Sequence, residues 1–163
     1  MASLTSQISR CYASNRRTSK PFDLRILGLG GATEAQLCKA FPEYDRWQVD
    51  FRTESLDEYR DKTERTIVYL SADAEEVLEE IDPNCAYVIG GLIDRNHHKN
   101  AASDRAKALG LKTARLPLSE HVRLNSSAVL TIVHVYELLC KQRELGNWKD
   151  AIDAVLPDRK RLE

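Results

Sequence analysis

The sequence lacks any apolar run that approaches the roughly 20 residues a membrane-spanning helix requires. No apolar stretch follows the N-terminal residues 1–6, so we expect no signal peptide. Cysteine is scarce and shows no C-x-x-C spacing; the four are Cys11, Cys38, Cys85 and Cys140. Scattered cysteines predict reduced, mostly buried thiols in an intracellular protein and argue against a disulfide framework.

A strong net charge is also missing, because 24 Lys and Arg residues oppose 25 Asp and Glu residues, giving a formal charge of −1. Overall charge therefore indicates no polyanionic partner. Its distribution is uneven, with basic residues clustered near the two ends of the chain: Arg10, Arg16, Arg17, Lys20, Arg159, Lys160 and Arg161. These clusters are either solvated charges or one basic face for a polyanion, since only local phosphate contacts count for binding.

Alternating strand and helix patterns run along the 163 residues, a length that suits one domain with a sizeable core. Short apolar runs predict strands over residues 23–29, 47–51, 66–70, 86–90 and 112–116. Helical periodicity and capping residues predict helices over 33–41, 74–81, 101–109, 126–145 and 148–156. The alternation predicts an α/β fold with a mostly parallel sheet flanked by helices, and hence ligand binding at the carboxyl ends of the strands.

The densest group of polar residues follows the fourth predicted strand, in the stretch from Tyr87 to Lys99. Gly90 and Gly91 let backbone amides approach a ligand, and Asp94 follows among residues that can donate hydrogen bonds. The alternative interpretation is a tight turn whose polar side chains only face water. We favour a functional loop, because so dense a run of polar residues at the end of a strand exceeds what a turn requires.

A competing pattern lies earlier in the chain, where Gly28 and Gly30 follow a strand and Asp50 comes about 20 residues later. This arrangement partly matches a dinucleotide-binding fingerprint, although Thr33 occupies the place of the third small residue. It supports a second hypothesis, a Rossmann-like protein that binds NAD or another nucleotide.

Metal and thiol chemistry receive little support from the sequence. His97 and His98 are adjacent, and no third and fourth ligand follow at a zinc-site spacing, so we expect no metal. Cys140 and His134 fall within one predicted helix, which favours satisfied core residues over a Cys-His nucleophile.

Several stretches together resemble the tRNA (guanine-9-N1) methyltransferases of the SPOUT superfamily. The stretch from Tyr87 to Lys99 carries the specific part of the resemblance. The others, in the same order as in the family, are residues 14–17, 67–73, 114–118 and 130–137 through Asn147-Trp148. The resemblance spans nearly the whole chain and makes this enzyme class the first hypothesis. A non-catalytic RNA-binding module on the same fold is the third.

The resemblance implies a single catalytic domain over residues 1–163 with a C-terminal trefoil knot, which general topology rules would not have suggested. It implies S-adenosylmethionine bound in the knot, with Asp94 as the general base or as a carboxylate that orients guanine. The cofactor-binding residues implied are Leu70, Ser71, Gly91, Arg95, Asn96, His97, His98, Lys99, Ser103, Leu116, Leu118, Val129, Leu130 and Thr131.

The same resemblance implies a tRNA partner, for which we expect phosphate contacts from Arg16, Arg17 and Lys20. It also implies a monomer, no membrane association, and a place in the nucleus or cytoplasm. The sequence departs from the family pattern in two respects. We expect the chain to lack the Lys-rich extension that usually precedes the domain in eukaryotic members, and Val133 stands where asparagine is common beside His134.

Overall fold

Two compact units, Met1–Thr63 and Glu64–Glu163, make up the chain in the computed structural model. The structure describes residues 4–90, 101–118, 120–121, 123–124, 130–156 and 161–162. Both units combine helices with parallel strands, which confirms the prediction of a mixed α/β fold with mostly parallel pairing. The single domain over residues 1–163 and the knot stay predictions.

The first unit is a short strand–helix–strand unit preceded and followed by a helix. Its elements are α1 (Leu4–Arg17), β1 (Arg25–Ile26), α2 (Gly31–Ala40), a 3-10 turn (Tyr44–Arg46), β2 (Asp50–Phe51) and α3 (Leu56–Lys62). Strands β1 and β2 are parallel, with Arg25 opposite Asp50 and Ile26 opposite Phe51. A parallel pair needs a crossover connection, and α2 lies within it.

Helices α1 and α3 were not expected from the sequence, although local signals support both. In α1 the apolar side chains of Ile8 and Cys11 are buried, and two arginines occupy the last turn, where the helix dipole favours cations. Helix α3 begins after Ser55, whose hydroxyl accepts a hydrogen bond from the Glu58 amide at 3.4 Å. Most residues of both segments are polar, so too few apolar residues are present to show the spacing that predicts a helix.

The second unit contains a three-stranded parallel sheet, a pair of antiparallel strands and three helices among the described residues. Its elements are β3 (Thr66–Leu70), β4 (Cys85–Val88), α4 (Ala101–Leu109), β5 (Lys112–Ala114), β6 (Arg123–Leu124), α5 (Ile132–Leu145), α6 (Trp148–Val155) and β7 (Arg161–Leu162). The sheet order is β4-β3-β5. The three central residues of β3 are buried, as expected for a parallel strand covered on both faces.

The helix predicted over residues 74–81 is wrong, because this segment bends at residues 75–76 and 80 and between these bends pairs with the continuation of β5. Val77 forms a parallel bridge with Arg115. The Leu78 amide donates to the Arg115 carbonyl at 2.8 Å, and the Arg115 amide donates to the Glu76 carbonyl at 2.9 Å. A helix here would have placed two pairs of glutamates four residues apart, and such like-charged pairs destabilise helices. Backbone pairing with β5 therefore outweighs helix propensity.

Helix α5 shows both a confirmed and a corrected boundary. It ends at Gly146, whose φ of 83° and ψ of 2° give the left-handed conformation predicted for a terminating glycine. Its first residue is Ile132, whereas the sequence predicted a start at residue 126. Thr131 has extended backbone angles and accepts a hydrogen bond from the His134 amide at 3.2 Å, so it caps the helix. Residues 125–129 lie outside the described part of the structure.

Candidate functional site

The carboxyl ends of β3 and β5 meet at one edge of the sheet in the second unit. The Ser71 amide, one residue beyond β3, donates at 2.9 Å to the carbonyl of Ala114, the last residue of β5. Leu70 is partly exposed and Ser71 is buried. Because Leu116 follows Ala114 by two residues, the predicted cofactor residues on these two loops belong to one edge of the sheet.

The turn after β3 is organised by Ser71. Its hydroxyl oxygen accepts from the Asp73 amide at 3.3 Å, and its carbonyl accepts from the Ala74 amide at 3.2 Å. Serine is common in such turns because its hydroxyl oxygen accepts a hydrogen bond from a nearby backbone amide, as a backbone carbonyl would. The turn leads directly into the segment that pairs with Arg115.

The loop after β5 makes a tight reversal at Leu116-Pro117-Leu118. The Leu118 amide donates to the Leu116 carbonyl at 2.8 Å, a three-residue turn that suits a central proline. Both leucine side chains are only half-buried, whereas Pro117 is buried. Next to this turn, the Arg115 guanidinium pairs with the Glu120 carboxylate at 2.8 Å. The turn thus presents two apolar side chains at the carboxyl end of the sheet.

Leu130 and Thr131 precede α5, and both are partly exposed. Thr131 forms a capping box with His134, whose ring Nδ1 accepts a hydrogen bond from the Thr131 amide at 3.3 Å. His134 therefore has a structural role at the start of the helix. Cys140, in the same helix, is buried, and burial raises the pKa of its thiol to about 12. The expectation that neither residue forms a nucleophilic pair is consistent with these positions.

Tyr69 and Gly90 are in close contact at the carboxyl ends of β3 and β4. A Cβ atom placed on Gly90 would lie 2.9 Å from the Tyr69 hydroxyl oxygen, so the strand end needs a residue without a side chain. Tyr69 is buried, and this burial raises the pKa of its hydroxyl while the positive charge of Arg105 opposes the rise. Gly90 was predicted to lie in a functional loop, whereas no role was predicted for Tyr69, because an aromatic residue inside a buried strand carries no local signal of function.

Several predicted site residues fall outside the described residues. These are Gly91, Asp94, Arg95, Asn96, His97, His98, Lys99 and Val129. Ser103 lies in α4, and its side chain is outside the described part of the structure. Among the described residues, no group of three or more His, Cys, Asp or Glu side chains is arranged to hold a metal ion.

The predicted tRNA-binding residues lie at and just beyond the end of α1 in the first unit, and all three are exposed: Arg16, Arg17 and Lys20. The Arg16 guanidinium lies 5.6 Å from the centre of the Tyr12 ring, and that ring stacks on Trp47 with centroids 4.4 Å apart. Cation–π contact thereby holds Arg16 on an aromatic support. Tyr12 and Trp47 were missed, because the i to i+4 spacing of Tyr12 and Arg16 matters only once α1 is known to be a helix.

The dinucleotide fingerprint is not supported by the geometry of the first unit. The Gly28 amide donates to the Glu54 carbonyl at 2.8 Å, and the Leu29 amide donates to the Arg52 carbonyl at 2.9 Å. These amides are therefore engaged within the protein and do not form a phosphate cradle. The Asp50 carboxylate is 2.8 Å from the Arg52 guanidinium and is occupied by this ion pair. Gly30 precedes α2 in extended backbone conformation.

The family of the chain follows from comparison with known proteins. Residues 1–161 match the family model described as tRNA (guanine(9)-N(1))-methyltransferase TRM10/TRM10A. The chain belongs to this family. No helix among the described residues of this TRM10-family chain is long and apolar enough to span a membrane.

Individual relatives agree with the family model. The tRNA methyltransferase 10 homolog A of Rattus norvegicus is 39% identical over 158 residues, which cover 96% of this chain and 47% of that protein. The tRNA (guanine(9)-N1)-methyltransferase of Candida glabrata is 35% identical over 165 residues, covering 98% of this chain and 56% of that protein. The chain thus spans about half the length of the curated relatives it matches.

A solved structure supports the fold of this TRM10-family chain. The structure titled "Crystal structure of spTrm10(Full length)-SAH complex" superposes with a TM-score of 0.87 at 30% sequence identity. The superposition covers 96% of this chain and 83% of the solved one. The mixed α/β architecture is therefore that of a solved TRM10 protein.

Proposed function

We propose that this chain transfers a methyl group from S-adenosylmethionine to N1 of the guanine at position 9 of tRNA. The observation that carries the proposal is the family match over residues 1–161, since the family is described by this reaction. The solved relative in complex with SAH, the demethylated product of the donor, supports the same cofactor.

We assign the donor to the carboxyl ends of β3 and β5 and to the loops beside them. Support comes from three partly exposed leucines, Leu70, Leu116 and Leu118, that stand on adjoining loops of one sheet edge. Such apolar side chains suit the faces of an adenine ring, and nearby backbone amides and carbonyls suit its edge. The full proposed set is Leu70, Ser71, Gly91, Arg95, Asn96, His97, His98, Lys99, Ser103, Leu116, Leu118, Val129, Leu130 and Thr131.

We assign Asp94 to the reacting base. Guanine N1 carries a proton at neutral pH, so methylation there requires that the proton leave as the new N–C bond forms. When bound, the donor supplies an electrophilic methyl group on its sulfonium. The Asp94 carboxylate accepts the N1 proton, a general-base contribution typically worth about 10²- to 10⁴-fold in rate. If Asp94 only orients guanine, positioning supplies the rate, at about 7–11 kcal/mol of the barrier.

We assign the phosphate contacts to Arg16, Arg17 and Lys20. The three side chains are exposed, and none forms an ion pair with a carboxylate among the described residues of the first unit. Cations without an ion-pair partner bind phosphates without first breaking an existing pair. Because position 9 lies within the folded tRNA, we expect the guanine to leave its stack before it reacts.

Replacement of Asp94 tests the assignment to chemistry. In single-turnover methylation of a tRNA with guanine at position 9, Asp94→Asn should lower the rate sharply while tRNA binding stays similar. Asp104→Asn, on the exposed surface of α4, is the matched control and should react like the unchanged protein. An unchanged rate in Asp94→Asn would remove this residue from the mechanism.

Ligand-induced stabilisation tests the choice of cofactor against the nucleotide-binding alternative. At 100 times its dissociation constant, a ligand that binds only the folded state stabilises by about 2.7 kcal/mol. We expect a rise in melting temperature with S-adenosylhomocysteine and none with NAD. Stabilisation by NAD alone would favour the Rossmann-like alternative. Binding of S-adenosylhomocysteine without tRNA methylation would favour a non-catalytic RNA-binding module.

We further propose that residues 1–163 form a single SPOUT catalytic domain with a C-terminal trefoil knot. The likeness to a solved TRM10 protein over 96% of this chain supports this architecture. We propose a monomer that works where tRNA is matured, in the nucleus or the cytoplasm. Sedimentation equilibrium at micromolar concentration tests whether the protein is a monomer, and a mass equal to that of a dimer would contradict this proposal.

A further inference from the structure

Trp148 stands at a corner that is built by local sequence. Helix α5 ends at Gly146, and Asn147 then caps α6, its side-chain oxygen accepting from the Asp150 amide at 2.9 Å. This cap fixes Trp148 as the first residue of α6. Its side chain is buried, with 5% of its surface exposed. The turn between α5 and α6 therefore places the indole ring of Trp148, which has a single N–H donor, in the interior of the second unit.

The indole N–H of Trp148 donates to the backbone carbonyl of Glu79 at 2.7 Å. The two residues are 69 positions apart, so the bond joins the C-terminal helices to the segment after β3. A buried indole N–H normally requires a partner, and here the partner is main chain. The bond thus holds the path of the backbone and is insensitive to the glutamate side chain.

The segment that Trp148 holds is the one that pairs with the continuation of β5. Along it, Val77 bridges Arg115, and the Leu78 amide donates to the Arg115 carbonyl at 2.8 Å. Ser71 begins this segment, and Leu116 follows Arg115. The two loops assigned to the donor are therefore tied together by the segment whose far end Trp148 holds.

We propose that Trp148 is a positioning residue for the donor site, acting through the Glu79 carbonyl and the segment that contains it. This inference rests on the proposed function of that site. The part of the side chain that acts is the N–H group: without it, residues 74–80 loosen from β5, and the turns at Ser71 and Leu116 lose their fixed spacing. Trp148 itself contacts neither donor nor guanine in this proposal.

Two substitutions separate the N–H group from the bulk of the ring. Trp148→Phe keeps an aromatic ring and removes the donor. Replacement of Trp148 by 3-benzothienylalanine puts a sulfur atom in place of the N–H and keeps the bicyclic shape, so it fills the site better than the smaller ring does. Tyr59→Phe is the matched control, because it also keeps an aromatic ring and removes one hydrogen-bonding group, the hydroxyl that accepts from the Thr63 hydroxyl at 3.4 Å in the first unit.

We expect both replacements at position 148 to weaken S-adenosylhomocysteine binding by about fivefold to tenfold in titration calorimetry, as for one lost hydrogen bond. Amide hydrogen exchange in residues 72–80 should quicken in the absence of ligand. Tyr59→Phe should change neither quantity. Unchanged affinity in both variants at position 148, or unchanged exchange, would overturn the positioning role alone. Failure of the unchanged protein to bind S-adenosylhomocysteine would instead overturn the proposed function, and this inference with it.

Discussion

Replacing Gly90 with alanine should introduce a clash at one identifiable contact, that with the Tyr69 hydroxyl. The added Cβ would lie 2.9 Å from the hydroxyl oxygen, whereas ordinary contact begins at 3.4 Å. The ring must therefore retreat by about 0.5 Å within a well-packed strand. Such overpacking typically costs about 1–3 kcal/mol. A gain of about 0.4–1 kcal/mol from reduced freedom of the unfolded chain offsets part of this cost.

The Tyr69→Phe background isolates this contact. The next nearest atoms to the new Cβ are ring carbons of Tyr69 at 3.7 Å, which is ordinary contact. Without the hydroxyl, Gly90→Ala should therefore be neutral or slightly stabilising. Urea unfolding of the four proteins in this double-mutant cycle should give a coupling free energy of about 1–3 kcal/mol.

Additive effects of the two substitutions, within about 0.5 kcal/mol, would refute the proposed contact. Gly30→Ala is the matched control, because Gly30 has a φ of 171° and no atom within 4 Å of the position of an added Cβ. It should unfold at nearly the same urea concentration as the unchanged protein. If Gly30→Ala lowered the free energy of unfolding as much as Gly90→Ala does, the loss of a glycine in itself, and not contact with the Tyr69 hydroxyl, would explain the destabilisation.

Two further predictions concern charge and thiol chemistry. Glu54 exposes only 9% of its side chain and pairs with Arg52 at 3.3 Å and Lys62 at 3.2 Å. Glu54→Gln should therefore lower the melting temperature by about 2–4 °C, and by less in 1 M NaCl; an equal loss at both salt levels would contradict an ionic cause. Because burial raises the pKa of Cys140 to about 12, its thiol stays protonated below that pH. At pH 8 mass spectrometry should find iodoacetamide on exposed Cys38 long before Cys140, and equal labelling would contradict this order.

The sequence predicts the structure best where burial and periodicity agree. The third strand, residues 66–70, was predicted with its observed bounds, because three consecutive buried apolar residues are typical of a covered parallel strand. Helix α4 was predicted equally well, since Gly110 ends it with a φ of 69°. In both cases the signal is contained in the segment itself. No distant partner is needed to decide the structure.

Where a distant partner decides, the sequence misleads. Residues 74–81 carry helix-favouring residues, yet they form no helix, because Arg115, almost 40 positions away, offers backbone groups with which this segment pairs. A larger separation, 69 positions, hides the contact of Trp148 with Glu79. A pattern within one segment contains no information about such partners. The fold class was therefore predictable, whereas the path of the loop after β3 was not.

The same distinction explains what was predictable of the candidate site. Ser71 and Leu116 were assigned from a family resemblance, and the structure adds the reason they belong together: β3 and β5 are neighbours, and the Ser71 amide bonds to Ala114. Tyr69 and Trp148 lie in stretches that resemble the family but were given no role, and the role of each follows from an atom it contacts, at Gly90 or at Glu79. Residues that bind a ligand leave a pattern in sequence, whereas residues that hold those residues in place are found by following contacts outward. The Trp148 and Tyr69 variants therefore test whether the geometry of this site depends on such supporting contacts.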